Sequence, residues 1–79
     1  MSWTIERGKQ AEMLQKNDTF RDVIEAIRAS KAEVFLNPDS SQEDRESAHE
    51  IIRALAEIDG ELNTRILDAA FEEEKEPAP

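Results

Sequence analysis

Cysteine is absent from the chain, which removes disulfides and thiolate zinc sites at once. Tyrosine is absent too, and only two glycines and three prolines occur, so few residues stand in the way of helix. The single histidine, His49, leaves little with which to hold a transition metal. No apolar run approaches the ~20 residues of a membrane span. The opening Met-Ser-Trp-Thr-Ile-Glu-Arg contains no signal-peptide core. A soluble protein of the cytoplasm is therefore expected. No stretch alternates apolar and polar residues with period two, so strands find no support.

Alanine, glutamate, leucine, isoleucine, arginine and lysine make up most of the 79 residues, and all of these except isoleucine are strong helix formers. The expected class is all-α. A chain this short buries a small share of its surface and usually needs a staple. With disulfides and metals set aside, a protein partner or homo-oligomer is the staple left.

The net charge of −9 is unevenly spread. Residues 1–35 carry six basic and six acidic side chains, whereas residues 36–79 carry four and thirteen. Nucleic-acid binding needs lysine and arginine to displace counterions from phosphates. Direct contact with DNA or RNA is therefore not expected. The acidic half reads as a solvated face, or as a surface that docks on a basic partner.

Three helices are predicted, over about residues 4–16, 18–36 and 41–71, within a single domain spanning 1–71. Ser2 or Thr4 can cap the first, and Gly8 weakens it by about 1 kcal/mol relative to alanine. Asn17, Asp18 and Thr19 offer cap acceptors for the second, whose apolar stripe is Phe20, Val23, Ile24, Ile27 and Val34. Pro38 ends that helix at Asn37. Ser40-x-x-Glu43 and Ser41-x-x-Asp44 both resemble a capping box for the third.

In the third helix Ala48, Leu55, Leu62 and Ala69 recur every seven residues. Ile51 and Ile58 fill the intermediate positions, as in helices that pack on helices. Arg65 stands where the next apolar residue of that series belongs. A break at Asp59-Gly60, with Asn63 capping a short fourth helix, is the alternative to one continuous helix. Residues 72–79 read as a charged tail with nothing to bury, expected to be disordered. The short turn at 37–41 makes the last two helices an antiparallel hairpin. Helix one then covers the second half of the long helix or packs against another chain.

Candidate sites are few. Glu46-x-x-His49 has the spacing of di-metal carboxylate bundles, but with Ala48 in the seam both residues face solvent. His49-Glu50 begins a zinc-protease pattern, and Arg53 stands where the second histidine belongs. Asp39, Glu43, Asp44 and Glu46 lack the glycine turn of a calcium loop and fit a helix start. No serine has a histidine base placed beside it. No catalysis, metal, cofactor, small-molecule substrate or membrane association is expected. The candidate interface residues are Trp3, Phe35, Leu62, Ile66 and Phe71. Trp3 plugs the end of the core or anchors a partner. Val34-Phe35-Leu36 cannot all face one side of a helix, so one of them lies near the surface.

Arg7-Gly8-x-x-Ala11-Glu12-x-Leu14, then Phe20, then Arg45-Glu46 leading into Ile52-x-x-Leu55, form a familiar series. Over residues 4–62 this resembles short helical proteins of tailed bacteriophages, encoded among virion structure and packaging genes. The resemblance implies a minor virion or assembly protein, present in the host cytoplasm and the particle, and brings no catalytic residues with it. The rival expectation is a small acidic inhibitor, of the anti-restriction or anti-CRISPR kind, that occludes a basic nucleic-acid site on a host protein.

Overall fold

The computed structural model describes residues 2–75. Three helices follow one another, α1 (Trp3–Gln15), α2 (Asp18–Leu36) and α3 (Gln42–Lys75), with no strand among the described residues. The all-α hairpin read from the sequence is the observed fold.

Local chemistry sets the boundaries. The Asn17 side chain accepts a hydrogen bond from the Phe20 amide at 2.8 Å, starting α2 after a two-residue break. Pro38 forces Asn37 into extended geometry (φ −88°, ψ 116°), and α2 stops. Asn37 then holds the turn, its Oδ1 accepting from the Asp39 amide at 2.9 Å. Of the two capping boxes, Ser41 and Asp44 form the real one. Ser41 Oγ accepts from the Asp44 amide at 3.0 Å, and Asp44 Oδ2 accepts from the Ser41 amide at 3.1 Å. At the start of α1, Ser2 is the cap residue but makes no side-chain bond, and Thr4 lies inside the helix.

α3 is continuous, as expected, and only its end needs adjusting. Asp59-Gly60 does not break it, since a Cβ at Gly60 would meet nothing within 4 Å and the glycine costs only propensity. The helix also runs past Phe71 to Lys75, so residues 72–75 are not tail. Glutamate and lysine are good helix formers, Lys75 suits the negative end of the dipole, and its ammonium sits 4.5 Å from the Phe71 ring centre. Residues 76–79 lie outside the described region.

α1 and α2 both run antiparallel to α3, one beyond the other, so the first arm of the hairpin is a helix broken at residues 16–17. α1 lies on the second half of α3 and scarcely touches α2. Gly8 makes that closeness available: a Cβ there would sit 2.7 Å from the Arg65 carbonyl oxygen and collide with the Ala69 Cβ. Gln15 Nε2 donates to Asn63 Oδ1 at 2.7 Å at the other end of this contact.

The buried set follows directly. Ala48, Leu55, Leu62 and Ala69 of α3 meet Ile5, Gly8 and Ala11 of α1 and Ile24 of α2. They form a single line of contacts. The molecule measures 62 × 22 × 14 Å, and a helix with its side chains is about 10–12 Å across. The fold is thus two helices wide and one helix deep. Its radius of gyration, 17.4 Å, exceeds the roughly 12 Å of a compact chain of this length.

Candidate functional site

A single layer of helices has two broad faces, and both lie open in this chain. Contacts across the seam tell them apart. On one face Arg28 Nη2 reaches Asp59 Oδ2 at 3.2 Å, and Arg28 also pairs with Glu25. On the other, Val34 of α2 and Ile51 of α3 line one shallow depression together with Lys31, Ser40, Asp44, Ser47 and Ala48.

Heptad steps extend the second face. Ile27 and Phe20 stand seven and fourteen residues before Val34, and Ile58 stands seven after Ile51. Side chains seven apart share one side of a helix. Because α2 and α3 are antiparallel, Ile27 and Ile58 continue the face that Val34 and Ile51 begin. Val23, one turn from Ile27, widens the stripe at its α2 edge. These side chains remain substantially open: Val23 is 50 % exposed, Ile27 and Ile51 37 % each, and Ile58 41 %.

Three glutamates of α3 lie elsewhere. Glu46, Glu50 and Glu57 are each two positions from a buried seam residue, hence on the opposite side of α3. Arg53 lies among them, in one shallow surface with Glu50, Ala54 and Glu57. Glu46 and His49 are exposed. The carboxyl of Glu12 on α1 is held below the usual glutamate range by a hydrogen bond from Lys16 Nζ at 2.7 Å and by its charge. No helix of the described residues is long and apolar enough to cross a membrane.

The sequence candidates fall into three groups. Leu62 is 8 % exposed and covered by this chain's own elements, so it is not open to another chain. α1 folds back over the second half of α3 because Gly8 and Ala69 admit a close helix pair. Ile66 is half-buried beside that contact. Trp3, Phe35 and Phe71 are exposed; Trp3 and Phe71 lie at one end of the molecule, where α1 starts beside the end of α3, and Phe35 lies at the other. Trp3 has the Arg7 guanidinium 5.5 Å from its ring centre at the start of α1, and Phe71 carries Lys75 at the end of α3. Phe35, one residue beyond Val34, turns toward the Arg28–Asp59 face.

The residues missed as a surface are Val23, Ile27, Ile51 and Ile58, which the spacing assigned to the seam. The signal that could have found them is width. Ile51, Ile52, Leu55, Ile58 and Leu62 span more of α3 than a single neighbouring helix can cover. The chain matches no family model, no curated protein and no solved structure.

Proposed function

We propose that this chain is a non-catalytic protein-interaction protein acting through helix–helix contacts. The resemblance of its opening and final helices suggests the setting, a minor component of a tailed-phage particle or of its assembly. The observation that carries the reading is the aliphatic stripe along α2 and α3, left open on a layer one helix deep. Fully burying a valine or isoleucine side chain is worth about 1.5–3 kcal/mol, so several half-covered ones in register form a surface that gains by being covered. The placement of charge supports the same reading, because the stripe is covered without burying the carboxylates of the α3 outer edge. The rival, an acidic inhibitor of a nucleic-acid-binding protein, wants a contiguous face of carboxylates. Arg53 between Glu50 and Glu57 interrupts that edge.

Photo-crosslinking in cells that express the gene in its natural context tests the proposal. A photoreactive residue replaces Val23 on the stripe or, separately, Arg53 on the edge. Protein adducts at Val23 that are absent at Arg53 are expected. Adducts at Arg53 alone, or at neither position, would remove the argument for this surface.

A further inference from the structure

We propose, building on that reading, that the aliphatic face is covered by a second copy of the chain, two hairpins packing face to face as a four-helix bundle. Size is the first argument. The molecule is 62 Å long and 22 Å wide, the stripe from Phe20 to Val34 takes up about 21 Å of that length, and a specific interface removes about 800 Å² per partner. Overlap along somewhat more than half the rod reaches that value, so a second copy covers the stripe and extends past it over part of the α1 half. A shorter partner helix would leave one of the two rows open.

Spacing is the second argument. Phe20, Ile27 and Val34 climb α2 in steps of seven, and Ile51 and Ile58 descend α3 in the same step. Knobs-into-holes packing requires both partners to share one repeat, and a copy shares it by construction. Two antiparallel arms with one repeat also give the face an approximate two-fold character, which suits an isologous contact. Depth is the third. One layer is 14 Å deep, and a second layer supplies the missing side of the core found in four-helix bundles.

Charge makes the proposal separable from its competitors. Each copy carries −9, with glutamates on the outer edge of α3, so two copies repel at long range. That repulsion is screened as the Debye length falls from about 30 Å at 0.01 M salt to about 8 Å at 0.15 M. Self-association therefore tightens with added salt, whereas binding of a basic partner weakens.

Sedimentation equilibrium of the purified full chain at micromolar concentration is the test, run at low and moderate salt. A dimer that strengthens with salt is expected. Ile27→Glu combined with Ile58→Glu is expected to weaken it by roughly a hundred-fold or more, with helicity by circular dichroism retained. Val23→Glu, at a more open position, is expected to weaken it in the same direction and decides the matter if the double variant loses helicity. Phe35→Ser, on the opposite face, is expected to leave the dimer intact. A wild-type monomer throughout, a dimer indifferent to Val23→Glu, or one lost only with Phe35→Ser would overturn the proposal. If the chain is monomeric yet crosslinks from Val23 to a different protein, the second copy is refuted and the interaction reading stands. If neither is seen, both fail.

Discussion

Gly8 and Gly60 are both helix-interior glycines, and the structure gives opposite signs for replacing them with alanine. From propensity alone each replacement should stabilise by about 1 kcal/mol. At Gly60 nothing lies within 4 Å of the new Cβ, so the propensity gain stands, and the midpoint should rise by about 4–8 °C for a domain of this size. At Gly8 the new methyl meets the Ala69 Cβ and, at 2.7 Å, the Arg65 carbonyl oxygen. Ordinary carbon contacts begin near ~3.5 Å, and both atoms are fixed to the α3 backbone, so neither can rotate aside. α1 must then retreat by about an ångström or detach, in the range where overpacking costs about 1–3 kcal/mol. Retreat also loosens Ile5, Ala11, Leu62 and Ala69, buried in the same contact. The net effect of Gly8→Ala is a loss of about 1–2 kcal/mol, obtained by setting the overpacking cost against the propensity gain. Thermal unfolding followed by circular dichroism, at one protein concentration for all variants, reads both changes. A Gly8→Ala midpoint equal to or above wild type would refute the close α1–α3 contact.

Three further outcomes follow from the same geometry. Ser41→Ala removes one half of the capping box and should cost about 1 kcal/mol by chemical denaturation, whereas Ser40→Ala, which breaks no side-chain cap, should cost little. Arg28→Ala with Asp59→Ala, analysed as a double-mutant cycle, should give a coupling of about 0–1 kcal/mol, because the pair lies at a part-exposed surface. An NMR titration should find the Glu12 carboxyl ionising below the ordinary glutamate range, and Lys16→Gln should return it there. With the folded value lowered, any stabilisation from this pair is present above the unfolded pKa and is lost as pH falls through the folded one.

Much of the fold was legible because its determinants are local. Asn17, Pro38 and Ser41 with Asp44 act on backbone groups within three residues, and the heptad of Ala48, Leu55, Leu62 and Ala69 marks one side of one helix. The role of Gly8 was not legible, because a glycine that weakens a helix and one that admits a neighbour look alike until the neighbour is placed. The burial of Leu62 hung on the same point. Whether α1 covers the second half of α3 depends on how near the two backbones approach, which no spacing within α1 reveals. Ile51 and Ile58 were misassigned for a related reason. A heptad marks the side of a helix that prefers to be covered and is silent on how many neighbours do the covering. Lys75 over Phe71 extended α3 through a contact between residues four apart, at a place where composition alone suggested a frayed end.

The two halves of the long helix are closed by different means, and that difference accounts for the placement of the open surface. Against α1 the seam is built from Gly8, Ala11 and Ala69, residues so small that the backbones nearly touch, while Trp3, Met13, Leu67 and Phe71 stay exposed away from it. Against α2 it is built from Ile24 and Leu55 with Ile27, Val34, Ile51 and Ile58 alongside, side chains too large to fit between two helices in one line. They spill onto one face, while Arg28 and Asp59 close the other. The break at residues 16–17 lets each half take its own spacing, since an unbroken first arm would carry the inter-helix distance set at Gly8 into the α2 region. The tight end holds the hairpin together, and the wide end sets aliphatic side chains side by side on one face. The proposed contact falls on the face that carries Ile27 and Ile58.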